Sequence, residues 1–229
     1  MDPVVKIAFW ATVFVGAHLV VTSSYVRPRL VAAMGERPYR GVFSLLAFVT
    51  FIPLVVVFAY NKHAGPLLWT LRNTDAVRWL AWLFMVAAVV LLVAGLMTPS
   101  PVAIGGSPRA RPRGVLKLTR HPSFVAFALF GFAHMLMNGL LGDVIFFGSF
   151  AALGILGGWH QDARKLATLG DSYRRFVDDT SFFPGLALIR GAQHWESADT
   201  PWPALGLSAV LTVALILLHP MLFGGSPLG

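Results

Sequence analysis

The sequence predicts an all-α fold: a polytopic transmembrane helix bundle of about six helices with a short cytoplasmic amphipathic helix, forming one membrane domain over residues 1–229. Three observations predict it. Of the residues, 56% are hydrophobic and 12% charged, whereas a soluble domain carries about 25% charged residues. The mean hydropathy is +0.70. The apolar residues also fall in runs close to the length of about 20 residues that crosses a bilayer.

The predicted spans are six apolar runs. They cover residues 3–22, 41–60, 77–97, 122–141, 144–160 and 202–223. Only Gly142 and Asp143 separate the fourth run from the fifth, which predicts a tight antiparallel hairpin with those two residues as its turn. After the fifth run, the polar segment 160–177 has the pattern of a short amphipathic helix.

The basic residues predict the orientation. Fourteen of the 18 Lys and Arg lie in the segments 23–40, 98–121 and 161–201, which a six-span path places on one side. The positive-inside rule makes that side cytoplasmic and leaves both termini outside. Within the second segment, the loop 98–114 is rich in Pro, Gly and Arg and is predicted to be irregular. Because the loops account for the net charge of +8, we expect the lipid bilayer as a partner and no nucleic acid.

Two histidines are the candidate functional residues inside the predicted membrane region. The chain has no cysteine, which excludes disulfides and thiolate metal sites. His18 and His134 lie deepest in the spans, and an ionisable group in hydrocarbon is costly enough to indicate function. Neutral imidazole is a common ligand of haem iron. Two interpretations of these histidines stay open: they are a pair of haem ligands, or they form structural hydrogen bonds between helices.

The neighbours of His134 favour a planar cofactor. Gly131 lies one turn before it on the same helix face, which predicts a flat opening beside the imidazole. His134 lies about 18 Å along its helix from the cytoplasmic end, and His18 lies about 6 Å from the same side. That mismatch shrinks if the first helix continues to Val26. His121, at the cytoplasmic end of the fourth span, is the reserve ligand.

Longer segments add a family resemblance. LTRHPSFVAFALFGFAHML, GWHQDARKLATLGDSYRRFVDDTSFFPGLALIRGAQ and GAHLVVTSSYVRPRLVAAMGERPYRGVFSLLAF resemble the NnrU family and the related 15-cis-zeta-carotene isomerase family, over about residues 14–192. The resemblance implies a b-type haem whose iron is held at the positions of His18 and His134. Arg37 and Arg40, with Arg109 and Arg111 as further candidates, would be basic partners for the haem propionates.

Two activities follow from this resemblance. One is cis–trans isomerisation of a double bond in an apolar polyene of the carotenoid class. The other is a haem-based redox or nitric oxide role linked to denitrification, with a redox or regulatory partner protein in a bacterial cytoplasmic (inner) membrane. One departure matters for the first. The isomerase carries a cysteine three residues before the second histidine, where this chain has Gly131, so a Cys/His ligand switch is impossible here.

A more distant resemblance is to the isoprenylcysteine carboxyl methyltransferases. It rests on the residues Arg120, His121, Pro122, Asp162, Gly170 and Tyr173. In that family these regions hold S-adenosylmethionine, but the expected pair of glutamates is missing, with Gln161 and Asp162 nearest their place. The alternatives to the haem protein are therefore an S-adenosylmethionine-dependent membrane methyltransferase and a haem-free structural membrane protein.

Overall fold

The computed structural model describes residues 1–98 and 111–225. In these ranges the chain is helical, with one isolated β-bridge between Leu67 and Leu140. The all-α prediction is confirmed. The described α-helices are α1 (Pro3–Val21), α2 (Val26–Met34), α3 (Glu36–Tyr60), α4 (Asp75–Met97), α5 (Val115–Leu118), α6 (Pro122–Met137), α7 (Leu141–Leu169), α8 (Asp171–Asp179), α9 (Leu186–Ile189) and α10 (Trp202–Phe223). Short 3₁₀ turns form at Leu71–Asn73 and Ser197–Asp199.

The spanning helices are those with long apolar sequences. Among the described residues, α1, α3, α4, α7 and α10 are long and apolar enough to cross a membrane. The fourth predicted span becomes α6, an apolar helix of 16 residues, whose length of about 24 Å is below the roughly 30 Å of the hydrocarbon core. The chain is therefore a multi-pass membrane protein, whose described residues form five helices of spanning length and one shorter apolar helix.

The first helix ends at Val21, next to the predicted end of its span at residue 22. It does not continue to Val26, so the difference in depth between His18 and His134 is not reduced in that way; the hydroxyl of Thr22 donates to the His18 carbonyl oxygen at 2.6 Å before α2 begins. One predicted turn is wrong. The turn between the fourth and fifth runs is residues 138–140 rather than Gly142 and Asp143, which lie in the first turn of α7. The predicted irregular loop 98–114 lies mostly outside the described residues, which resume at residue 111.

The chain divides into two compact units. Unit 1 contains Met1–Phe84 and Phe127–Asp171, and unit 2 contains Met85–Ala126 and Ser172–Gly229. In unit 1, α1 packs against α3 and α7. Helices α1 and α7 run in the same direction, because Ile7 lies beside Gly142 at their N-terminal ends and the Phe14 and Phe150 rings meet further along at 6.0 Å.

Helix α3 runs the opposite way. Its Phe51 ring lies 5.7 Å from that of Phe14, and its Phe58 ring stacks on Phe146 at 3.8 Å. Later residues of α3 therefore meet earlier residues of α7. The loop after α3 then returns to the start of α7, where the Gly142 N–H donates to the Ala64 carbonyl oxygen at 2.9 Å.

Aromatic rings make up much of the core of unit 1. Buried Phe14, Phe146 and Phe150 form it together with Ile7 and Leu54. Lipid tails are as apolar as these side chains, so burial from lipid gives little hydrophobic drive, and close packing must hold the helices together. Aromatic pairs suit this task because each contributes about 0.5–1.5 kcal/mol beyond its buried area.

The predicted amphipathic segment 160–177 is divided between two helices: residues 160–169 extend α7, and residues 171–177 lie in α8, which belongs to unit 2 from Ser172 onward. Gly170, with φ +55°, ends α7 in a backbone conformation that favours glycine, and α8 follows at once. Tyr173 and Phe176 are the buried residues of α8. Nearby, the Lys117 ammonium forms a 2.7 Å ion pair with Asp199. This pair joins α5 to the 3₁₀ turn that precedes α10.

Candidate functional site

His18 lies one turn from the end of α1, where its ring is half-buried among aromatic side chains. Its Nδ1–H donates to the Phe14 carbonyl oxygen at 2.7 Å. The imidazole makes edge contacts with the rings of Phe14, at 4.6 Å between centroids, and Phe43 on α3, at 5.4 Å. This position comes from the helical spacing, since a side chain lies over the turn that precedes it.

His134 has a closely similar environment near the end of α6. It is also half-buried, and its Nδ1–H donates to the Phe130 carbonyl oxygen at 2.9 Å. Its ring lies 4.3 Å from the Phe130 ring and stacks on Phe147 of α7 at 4.4 Å with an interplanar angle of 19°. Both histidines therefore sit one turn after a phenylalanine whose carbonyl orients the imidazole.

The structure brings these two environments into one aromatic cluster. The Phe14 and Phe130 rings both contact Phe150 on α7, at 6.0 and 5.2 Å, so they lie at about the same height. His18 and His134 are one turn beyond them in opposite directions, which offsets their backbones by about 12 Å along the helices. Each imidazole is tilted back along its own helix toward the phenylalanine one turn earlier, because its Nδ1–H is bound to that residue's carbonyl oxygen.

The donor chemistry of the pair fits a haem. A carbonyl oxygen only accepts, so Nδ1 carries the proton in both rings, and in the neutral imidazole Nε2 then carries the lone pair. A backbone carbonyl on Nδ1 is also the usual way that proteins orient a metal-ligating histidine. Among the described residues there is no group of three or more His, Asp or Glu side chains that could hold a metal ion.

Gly131 has a different neighbour from the one predicted. A Cβ atom built there would lie 2.5 Å from the Phe147 carbonyl oxygen and 2.8 Å from the Ala151 N. Both are backbone atoms of α7, so the missing side chain allows α6 and α7 to approach closely. The opening beside His134 expected from this glycine is therefore filled by a helix, which corrects that reason for assigning Gly131 to the cofactor site.

The predicted propionate partners lie at the start of α3. Arg37 and Arg40 are both exposed, and Arg40 Nε donates to Glu36 at 3.4 Å. Glu36 also accepts two hydrogen bonds from Arg27, at 2.7 and 2.9 Å. A role for Arg37 or Arg40 stays a prediction, and Arg27 is a basic neighbour that the sequence did not single out.

His121, the reserve ligand, lies in unit 2. It is buried, with 4% of its surface exposed, and its ring contacts Phe124 and Phe182 at 5.7 and 5.6 Å. Its backbone N–H donates to the Thr119 hydroxyl at 3.2 Å. These contacts pack it against unit 2, and its role as a ligand stays a prediction.

Sequence reasoning missed a buried carboxylate at the start of α7. Asp143 is fully buried and accepts hydrogen bonds from His63, at 3.1 Å from the backbone N–H and 2.8 Å from Nδ1. His63 is the described non-glycine residue with positive φ, at 58°. An acidic residue inside an otherwise apolar run was the available clue, but its position was assigned to a turn.

A family model described as "NnrU protein" matches residues 7–227. Two curated proteins are also similar, both described as "15-cis-zeta-carotene isomerase, chloroplastic". The protein from Zea mays is 25% identical over 201 residues, which are 84% of this chain and 54% of the relative. The protein from Arabidopsis thaliana is 25% identical over 204 residues, with the same two coverages.

The match covers only part of each curated relative. The chain spans about half the length of the curated relatives that it matches, since 54% of each is aligned. No solved structure matches the chain. The matched segment includes both histidines of the aromatic cluster, because the family model covers residues 7–227.

Proposed function

The chain belongs to the NnrU family, as its sequence predicts, and from this membership we propose that it is a membrane b-type haem protein that isomerises a cis double bond of a carotenoid-class polyene. The haem would supply an iron centre at which such a bond gains a lower barrier to rotation. Its axial ligands in this proposal are His18 and His134. We place the chain in a bacterial cytoplasmic membrane with its basic segments on the cytoplasmic side.

The matched orientation of the two imidazoles carries this proposal. In each histidine the Nδ1–H is held by a carbonyl oxygen of its own helix, at 2.7 Å for His18 and 2.9 Å for His134. A histidine that only joins two helices would use its side-chain N–H toward the neighbouring helix. Here both rings donate the Nδ1–H to a carbonyl oxygen of their own helix, and Nε2 is the basic nitrogen of that tautomer.

The surroundings of the imidazoles suit an apolar, flat substrate. Phe43 lies beside His18 and Phe147 stacks on His134, so a conjugated chain near either ring would meet aromatic faces and edges. Both histidines are only half-buried in helices of apolar composition. A polyene dissolved in the bilayer therefore needs no aqueous route to reach them.

The residues that would hold the haem include no sulfur ligand. The chain contains no cysteine, and the position three residues before His134 is Gly131, packed against the α7 backbone. No thiolate could therefore take the place of either histidine, and the haem would be held by imidazole alone.

A second function depends on how firmly the two histidines would hold the haem. If both stayed bound, the haem would serve electron transfer or redox sensing rather than catalysis. In that case the chain acts as a haem-based redox or nitric oxide component linked to denitrification. Its partner is then a redox or regulatory protein instead of a polyene.

Haem binding is tested on purified protein from haem-replete membranes. The wild type should show a Soret band, and His18→Ala and His134→Ala should each weaken it. His194→Ala is the matched control, because His194 is an exposed histidine outside the spans and its change should leave the band intact. A well-folded wild type that carries no haem would contradict the proposal.

The two functions are separated in cells that make zeta-carotene but lack its isomerase. Conversion of the 15-cis isomer by the wild type, and its loss in His18→Ala, supports the isomerase. Haem-loaded protein without conversion supports the redox or nitric oxide role. Binding of S-adenosylmethionine by haem-free protein would instead favour the methyltransferase alternative.

A further inference from the structure

A basic cluster lies at the end of unit 1 where α1 and α7 finish and α3 begins. We call Arg27, Tyr39, His160 and Arg164 the Tyr39 cluster. Tyr39 is its buried centre, with 5% of its surface exposed. The Tyr39 hydroxyl donates to the Val21 carbonyl oxygen at 3.2 Å, so the ring is tied to the end of α1.

One side of the cluster comes from the start of α2. The Arg27 guanidinium lies 5.2 Å above the centroid of the Tyr39 ring, within the range of a cation–π contact. Its side chain is only 20% exposed. Glu36 fixes the guanidinium by accepting two hydrogen bonds from one nitrogen, at 2.7 and 2.9 Å. Arg27 is therefore held in place beside the phenol.

The other side of the cluster comes from the last turns of α7. Arg164 is half-buried, and its charge acts on the Tyr39 hydroxyl. His160 lies one turn earlier on the same face of α7. Its Nε2 is buried and has no hydrogen-bond partner among the described residues. A buried polar atom of this kind is uncommon in folded proteins, and it offers a further polar contact on this side of the cluster.

The charges at this end of unit 1 are unbalanced. Arg27, Arg40, Arg164 and Lys165 carry four positive charges, against two negative charges on Glu36 and Asp162. Glu36 already accepts from both Arg27 and Arg40, and Asp162 lies close enough to act on Lys165. This end of unit 1 therefore carries a net positive charge, which attracts an anionic group.

The cluster is also continuous with the candidate haem site. The Tyr39 ring stacks on Phe43 at 6.4 Å with an interplanar angle of 14°. Phe43 in turn makes the edge contact with His18 at 5.4 Å. The Phe43 ring therefore lies between the His18 imidazole and the Tyr39 ring. An anionic group on a molecule bound beside His18 is separated from the cluster by the width of this one ring.

We propose that the Tyr39 cluster binds an oxyanion, a carboxylate or phosphate, between Arg27, Arg164 and His160 Nε2, beside the buried Tyr39 ring. Two sources share this chemistry: the carboxylates of the haem and the phosphate of an anionic lipid. The haem arm rests on the proposed function, and the lipid arm does not. In the haem arm, Arg27 and Arg164 hold the carboxylates, in addition to the exposed Arg37 and Arg40.

The experiment uses the full chain in nanodiscs and two haem probes. Haem b carries both carboxylates, and its dimethyl ester carries none. We expect the wild type to bind haem b at least about tenfold more tightly than the ester, the size of one charge-assisted hydrogen bond. Arg164→Gln should bring the two affinities together. Arg174→Gln, an exposed arginine of α8, is the matched control and should keep the wild-type ratio.

A second arm measures the lipid source in the same variants. Native mass spectrometry counts phosphatidylglycerol retained from discs that also contain phosphatidylcholine. If Arg164→Gln no longer retains phosphatidylglycerol but keeps the wild-type ratio of affinities for haem b and its ester, the site binds lipid phosphate. No change in either measurement would overturn the site. If the wild type binds no haem at all, the proposed function fails, and the lipid arm alone decides whether the oxyanion site exists.

Discussion

A single carboxylate fixes the loop at the start of α7. Asp143 has none of its surface exposed, and both its oxygens accept hydrogen bonds from His63, whose φ is 58°. A non-glycine residue in this left-handed region is strained. The hydrogen bonds to Asp143 offset that strain and keep the loop after α3 against the α6–α7 hairpin.

Removing this carboxylate should destabilise the protein. We expect Asp143→Ala to lower the free energy of unfolding by about 1–3 kcal/mol, because it leaves the His63 donors without their acceptor. Asp143→Asn keeps one acceptor oxygen and the side-chain shape, so its loss should be smaller. Denaturant titration of both variants in detergent measures this order. Equal stability of Asp143→Ala and the wild type would mean that the carboxylate does not hold the loop.

Asp199 has the same role in unit 2, with a lysine as its partner. Burial raises the pKa of Asp199, but hydrogen bonds from Lys117 and from the Gly114 and Glu196 backbone N–H groups outweigh it. Its pKa therefore lies below the usual value of 3.8. The folded state holds this carboxylate charged more strongly than the unfolded state does. Its contribution to stability is fully present above pH 3.8 and is lost as the pH falls through the lower folded value.

The pH dependence of Asp199→Asn tests this ion pair. Near neutral pH the variant should unfold more easily than the wild type by about 1–3 kcal/mol. The difference should narrow as the pH falls below 3.8, because the wild-type carboxylate then takes up a proton. Asp178→Asn, at an exposed carboxylate of α8, should stay within about 0.5 kcal/mol of the wild type. If the difference in unfolding free energy between Asp199→Asn and the wild type stayed constant from pH 7 to pH 3, the ion pair with Lys117 would not be the source of that stability.

At the level of helices, α6 and α7 owe their close approach to one missing side chain. A Cβ at Gly131 would meet two backbone atoms of α7 at 2.5 and 2.8 Å. Backbone cannot rotate away as a side chain can, so the helices themselves must separate. Because His134 lies one turn after Gly131, the spacing between α6 and α7 also sets the position of its imidazole.

Gly131→Ala should therefore be destabilising although alanine favours helices. We expect a loss of about 1–3 kcal/mol from overpacking, together with a shifted Soret band in haem-loaded protein. Gly16→Ala in α1 is the matched control, since no atom lies within 4 Å of its added Cβ. That change should be neutral or stabilise by up to about 1 kcal/mol. The interpretation is wrong if both substitutions have the same effect.

At the scale of the whole molecule, the directions of the helices can be compared with the predicted path of the chain through the membrane. In unit 1, α1 and α7 run in one direction and α3 in the other. A six-span path requires these directions of its first, fifth and second spans. It also requires α6 to cross, although α6 has only 16 residues. A locally thinner bilayer accommodates a short helix at modest cost.

The orientation can be measured with single cysteines, because the chain has none of its own. Ser24→Cys and Ala192→Cys, at exposed positions in two basic segments, should react with an impermeant thiol reagent only after the membrane is opened. Asn73→Cys, exposed between α3 and α4, should react in intact cells. The positive-inside assignment predicts this split. Labelling of Asn73→Cys and Ala192→Cys from the same side would rule out the six-span path.

Pattern and composition predicted the helices well but their ends less well. The apolar runs located the long helices, because a helix in lipid satisfies all its own backbone groups. The turn before α7 was misplaced by a few residues, since Gly142 and Asp143 look like turn residues when read alone. Asp143 is tolerated in α7 because a carboxylate is favoured in the first helical turn and His63 lies opposite it.

The candidate site was only partly predictable. Histidines in apolar runs stand out in a sequence, and His18 and His134 do share one aromatic cluster in the fold. The sequence correctly indicated that the missing side chain of Gly131 matters for packing. It did not predict that α7 fills the space, because the residues around Gly131 do not show which helix packs against it. Arg164 was assigned to a cytoplasmic segment, and its proximity to Tyr39 depends on how α7 packs beside α3.

The sequence by itself determined the class of this protein: a helical membrane protein with two histidines deep in its apolar runs, no cysteine and basic segments on one predicted side. Length, hydropathy and charge are properties of each segment alone, so they can be evaluated from the sequence without knowledge of the fold. Only the tertiary structure decided the partners. The contact between His63 and Asp143 joins residues 80 apart in the chain, and that between Lys117 and Asp199 joins residues 82 apart. Such pairs form because helices pack in one particular register, which no single segment encodes.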